Sequence, residues 1–170
     1  PLFQAEDGIR DRVSCLVGSE MCIRDRHWVY RSGGARIIHS LGYAQAHVYG
    51  VVDAPFPMRD RDTVVRFDFI QEPETREITI TITNTPERVP PVDGLVRVPD
   101  FGGFWQLSPA PEGRVNIIYQ VHGDPGGWVP VWIANLAAAR SVIRTLQNMP
   151  AATSRYRDAR SPFVQEAESS

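Results

Sequence analysis

The run His122-Gly123-Asp124-Pro125-Gly126-Gly127-Trp128-Val129-Pro130-Val131-Trp132-Ile133-Ala134-Asn135 joins two patterns of different period. Before it, Val115, Ile117, Tyr119 and Val121 recur at every second position, the period of a strand with one inward face. After it, Val129, Trp132, Ile133, Leu136, Ala139, Ile143 and Leu146 recur at three- and four-residue steps, the period of a helix with one apolar stripe. Asp-Pro-Gly-Gly between them is turn chemistry. Pro125 fixes φ, and the glycines accept positive φ without steric cost. Pro130 suits the first helical turn, where a missing N–H is harmless. The expected object is a last strand, a tight turn, and a helix from Pro130 to about Met149 lying back across a sheet. On that reading Leu136 points at the sheet.

Working upstream, the chain reads as strands. Val65, Phe67 and Phe69 alternate with Arg66 and Asp68, and Ile78, Ile80 and Ile82 alternate with Thr79, Thr81 and Thr83. The pair predicts an antiparallel hairpin with one wet face. Residues 35–41 and 46–52 are weaker strand candidates, and the prolines of Asp53-Ala54-Pro55-Phe56-Pro57 end the second. Residues 95–98 and 104–107 predict two more segments, split by Pro99-Asp100-Phe101-Gly102-Gly103. No βαβ alternation, internal repeat, dinucleotide fingerprint or P-loop is present. About six antiparallel strands followed by one long helix make an α+β domain.

The junction also carries a family resemblance. Tyr119-Gln120-Val121-His122-x-Asp124-Pro125-Gly126-Gly127-x-x-Pro130-x-Trp132-x-x-Asn135 resembles the last strand and C-terminal helix of bacterial START domains, a branch of the helix-grip superfamily. The resemblance extends to Pro55-Phe56-Pro57-Met58-Arg59-Asp60-Arg61-Asp62, to Pro90-Pro91 through Val96-Arg97-Val98, and to Gly103-x-Trp105-x-Leu107-x-Pro109. It covers about Trp28 to Met149. It implies a helix-grip fold: a curved antiparallel sheet gripping the C-terminal helix, with the family's first helix and first strands missing. It implies a lipid or other hydrophobic small molecule as partner, transient membrane contact, and no cofactor.

The two ends read differently. Gln4-Ala5-Glu6-Asp7-Gly8-Ile9-Arg10-Asp11 and Leu16-Val17-Gly18-Ser19-Glu20-Met21-Cys22-Ile23-Arg24-Asp25-Arg26 resemble translated sequencing-library adapters. Residues 1–26 are therefore expected to be foreign to the domain. Residues 27–150 are expected to be the C-terminal two-thirds of a START-like domain. Residues 151–170 are polar and are expected to form a disordered tail. With the native start expected to be missing, a periplasmic or secreted site and a cytoplasmic one are equally open.

Composition narrows the chemistry. Both cysteines, Cys15 and Cys22, fall in the adapter-like stretch, so the rest offers no thiolate ligand or nucleophile. No lysine is present, which removes Schiff-base chemistry from this chain. A net charge of −2 gives no electrostatic case for nucleic acid. His27, His39, His47 and His122 show no metal-ligand spacing, so no metal site is expected. His122 is expected to bond Asp124. Asp53, Asp60 and Asp62 interleave with Arg59 and Arg61, which predicts solvated pairing in a loop. Arg66 and Asp68 are expected to face water.

These readings converge on non-catalytic binding or transfer of a lipid or other bulky hydrophobe in a cavity between sheet and helix. The expected lining is Val65, Phe67, Phe69, Ile80, Trp105, Ile117 and Tyr119 from the sheet and Trp132, Leu136, Ala139 and Ile143 from the helix. The loop Pro90 to Gly94 would border its mouth. The alternatives are a polyketide cyclase or aromatase of the same superfamily, with His47 or Tyr119 as acid-base groups, and a fold used only as an interaction module.

Overall fold

The computed structural model describes residues 3–5, 32–42, 44–54, 56 and 58–155; for residues 3–5 and 152–155 it describes the backbone alone. The strands are β1 (Phe3–Ala5), β2 (Ser32–Leu41), β3 (Gln45–Val52), β4 (Arg61–Gln71), β5 (Ile78–Asn84), β6 (Val96–Arg97), β7 (Asp100–Pro109) and β8 (Val115–Asp124). One helix, α1 (Val131–Arg155), follows. The sheet runs β1-β8-β7-β5-β4-β3-β2, with the short β6 pairing β4 in parallel and every other neighbour antiparallel.

Alternation places the core. Ile78, Ile80 and Ile82 of β5 point to one face and are buried, and β7 and β4 place Leu107, Trp105, Phe69 and Val65 beside them. Full burial of each such side chain contributes about 1.5–3 kcal/mol. The hairpin expected from the β4 and β5 patterns is present, register Phe69↔Ile80. Arg76 takes a positive φ of 59° in its connecting turn, closed by a bond from the Glu72 N–H to the Glu77 carbonyl.

Two local readings change. Residues 99–103 were expected to interrupt the sheet, yet β7 starts at Asp100 and pairs with β8 from Asp100↔Asp124 onward. Gly103 makes this possible: a Cβ there would collide with the Gln120 carbonyl, so only glycine lets β8 pass this close. The helix also continues through Pro150 to Arg155, so the first five residues of the expected tail are helical. A proline this near the end of a helix removes one backbone bond and leaves few turns to disturb.

The joint is a turn, with Gly126 and Gly127 both at φ 69°. Asp124 Oδ1 accepts from the Gly126 N–H at 2.9 Å, and that bond holds the turn. Asp124 therefore serves its own turn, while the expected partner His122 lies against Gly102 on the facing strand.

Phe3–Ala5 pairs with Val115 to Ile117 at the β8 edge. These residues lie inside the stretch read as foreign to the domain. An unpaired edge pairs with any extended segment within reach, whatever its side chains. The rest of 1–26, together with His27 and residues 156–170, lies outside the described residues.

Candidate functional site

Register separates the sheet into two unlike faces. On the inner face, Tyr119, Trp105, Ile80 and Phe69 form one row across β8, β7, β5 and β4. Ile117, Leu107 and Ile78 form the row on one side of it; Val121, Gly103, Ile82, Phe67 and Ala46 form the row on the other. Beyond that lie Phe101, then Asn84, Val65 and Val48. Seven expected lining residues therefore share one surface: Val65, Phe67, Phe69, Ile80, Trp105, Ile117 and Tyr119. Parity along β5 and β7 adds Asn84 and Phe101, which the sequence reading left out. Both were available from extending the same alternation by one step.

The packing of this face is graded. Ile117, Leu107 and Ile78 are buried, and Met149 and Leu146 of the helix pack on that cluster. Phe67, Phe101, Tyr119 and Val121 are only half-buried. Trp105 and Tyr119 stack with ring centroids 3.7 Å apart. Burial pushes the Tyr119 hydroxyl up to about 12, so it is a neutral group throughout the physiological range.

The helix contributes differently from the expectation. Trp132, Leu136 and Ile143 are 69%, 45% and 50% exposed, and Ala139 is exposed as well. The buried positions are Thr145 and Met149. At about 100° per residue, the strip through Thr145 and Met149 runs back along Ser141, Val142, Ala138 and Ala134. The expected stripe lies roughly 80–180° round the helix from Thr145. Of the expected helix lining, Trp132, Leu136, Ala139 and Ile143 are exposed, while Leu146 of the same stripe packs on the core cluster. The helix is apolar on more than one side, so periodicity did not settle which side packs.

The outer face carries the charged pairs Arg97–Asp62 and Arg66–Asp68. Asp62, expected to be solvated, is 0% exposed and takes two bonds from Arg97, at 3.0 and 2.8 Å. Arg97 also donates to the carbonyls of Pro86, Val89 and Pro90. It fastens the proline loop to the end of β4, where the sequence reading had placed that loop at a cavity mouth. Arg66 and Asp68 pair at 2.7 Å on this face, as expected of a water-facing pair. Burial raises the Asp68 carboxyl, but bonds from Gln45 and Arg66 outweigh it and hold the group below its ordinary value. His47 lies opposite Arg66 on the same face, buried, with neither ring nitrogen bonded. Burial, with Arg88, His39 and Arg66 adding to it, holds its pKa down. His47 and Tyr119 thus sit on opposite faces, and the structure does not bring the two acid-base candidates together. Among the described residues no three His, Cys, Asp or Glu side chains gather as metal ligands. No described helix is long and apolar enough to cross a membrane.

No protein-family model matches the chain. Among curated proteins, an uncharacterised protein of Pseudomonas aeruginosa is 29% identical over 127 residues, covering 74% of this chain and 61% of that one. The phosphatidylcholine transfer protein of Bos taurus is 26% identical over 113 residues, 65% of this chain and 53% of that one. The chain spans about half to three-fifths of the length of these relatives. Among solved structures, a STAR-related lipid transfer protein from Xanthomonas axonopodis superposes with a TM-score of 0.77 at 25% identity, covering 90% of this chain and 83% of that one. Human StAR-related lipid transfer protein 5 gives a TM-score of 0.72 at 18% identity, over 92% and 75%. The structural neighbours of the chain are START domains, and its antiparallel sheet with one long C-terminal helix is the START helix-grip fold.

Proposed function

We propose that this chain binds a lipid or another bulky hydrophobe between the inner face of the sheet and helix α1, by burial and without covalent chemistry. One observation carries the reading. The inner face is apolar across five strands, yet the helix covers only one end of it, leaving Phe67, Phe101, Tyr119 and Val121 half-buried. Incompletely covered apolar surface of this kind supports a binding site there. The strip of α1 turned toward it carries small side chains, and Ala138 in its middle is itself exposed. A gap lined this way admits a hydrophobic ligand. The names of the structural neighbours and of the phosphatidylcholine transfer protein favour the same class of ligand.

Bulk added to the strip tests this. Ala138→Trp should leave the unfolding midpoint close to that of the parent, because the new ring enters a gap. It should abolish uptake of a fluorescent fatty-acyl probe. Leu136→Trp, on the outward side of the same helix, should change neither. Unchanged uptake in Ala138→Trp would sink the cleft as the binding site.

A further inference from the structure

His47 and Tyr49 on β3 and Asp62 and Val64 on β4 are buried although they point to the outer face. Neighbours reach them from two sides. From β2, His39 pairs with His47 and sets its ring 5.9 Å away, and Arg36 lies over the Tyr49 ring. From the other side, Thr85 donates its N–H to the Val64 carbonyl at 2.8 Å and leads into the 3-10 turn Pro86–Arg88. Two of the buried polar groups are answered: Asp62 takes its bonds from Arg97, and Tyr49 bonds to Asp62. His47 is not. It is 3% exposed, and neither Nδ1 nor Nε2 has a hydrogen-bond partner. A neutral imidazole so placed carries one unmet donor and one unmet acceptor.

Protonation worsens every part of this. The imidazolium has two N–H donors and a full charge, all buried and unmet. Arg66 faces it across the β3–β4 register, and Arg88 on the turn and His39 on β2 repel it further. Glu87, next to Arg88, is exposed. Asp68 is the one anion acting on the ring among the described residues. Its oxygens are already taken, Oδ1 by Gln45 at 2.6 Å and Oδ2 by Arg66 at 2.7 Å. Water would satisfy both N–H groups once the ring is out.

We propose that His47 is an acid-sensitive latch on the outer face: neutral, it lets β2 and the 85–94 loop close against β3 and β4; protonated, it drives them off while the rest of the sheet stays folded. Burial and the neighbouring cations hold the His47 pKa below the ordinary 6.5. The closed arrangement is therefore fully stable above about pH 6.5 and is lost as the pH falls below it. Asp68 and Glu77 are held below the ordinary carboxylate range, so they titrate at lower pH than this.

The test is hydrogen exchange, read by mass spectrometry on the full chain between about pH 7.5 and about pH 5 and corrected for the intrinsic rate. Protection of residues 32–41 and 85–94 should fall by up to about tenfold for each pH unit below about 6.5, the slope of one proton taken up on opening. Strands β5, β7 and β8 should keep theirs. His47→Leu, neutral and without polar atoms to satisfy, should hold its protection level across the range. His122→Gln, on the same face of β8, should behave like the parent. Protection in the parent that does not change with pH, or that falls equally in every strand, overturns the proposal. So does the same local loss in His47→Leu, or a level profile in His122→Gln. The first two outcomes are read on the unmutated chain, so they decide even if His47→Leu fails to fold.

Discussion

Tyr119 shows what a single side chain reports about the inner face. Its ring is sandwiched by Trp105 and its hydroxyl titrates at about 12, against 10.0 for an ordinary tyrosine, because burial penalises the phenolate. The neutral phenol is the form the fold favours. Stability from this group is therefore fully present below about pH 10 and is lost as pH rises from there through about 12. Two units correspond to about 3 kcal/mol. Tyr49 is raised as well, by burial and by Asp62 beside it, so the expected outcome is late titration in the tyrosinate absorbance that Tyr119→Phe reduces but does not abolish, and an unfolding free energy that falls across that window. Tyr119→Phe should flatten the fall; an unchanged slope would place the alkaline loss elsewhere. At this scale the sequence was legible wherever alternation decides, as for Tyr119, Val65 and Ile80. It was not legible for Asp62, whose partner Arg97 is 35 positions away. Neighbouring Arg59 and Arg61 suggested local pairing, and only the parallel contact of β6 with β4 brings Arg97 across.

At the scale of elements, helix α1 is where sequence and structure part. Its existence and its starting turn follow from the period switch and from Gly126 and Gly127. Its orientation does not. Trp132, Leu136 and Ile143 outweigh Ala134, Ala138 and Ser141 in hydrophobicity, so a helix read alone should turn the large side chains inward. The sheet decides otherwise, because the anchoring contact is at the far end, where Met149 is 5% exposed and joins the core cluster. Mutation should expose this asymmetry. Met149→Ala is expected to cost about 2–5 kcal/mol, as for other buried large-to-small changes. Trp132→Ser is expected to stay within about 0.5 kcal/mol, as for surface positions. Urea unfolding of the two variants separates the cases. A large loss from Trp132→Ser would mean that the outward stripe packs, and that the sheet-facing strip has been misassigned.

At the scale of the whole molecule, the strand order leaves the sheet with two ends, and they differ in kind. One end is β2, a ten-residue strand paired along its length with β3. The other is β8, whose outer edge, among the described residues, meets Phe3–Ala5, three residues from the adapter-like stretch. That pairing supplies a few backbone bonds at the Val115 to Ile117 end and leaves the remainder of a ten-residue strand without it. Backbone bonds of this kind contribute about 1 kcal/mol each at most, and less at a fraying end. The core rows on β4, β5 and β7 do not depend on them. Deletion of residues 1–26 should therefore move the thermal midpoint by only a few degrees. Its larger effect should be on association, since a fully bared β8 edge carries unpaired N–H and C=O groups beside the half-buried apolar face. Light scattering of the deleted chain should rise with concentration more steeply than that of the parent. A midpoint lower by ten degrees or more, on the order of 2 kcal/mol for a domain of this size, would show instead that the stretch packs into the fold and belongs to its core.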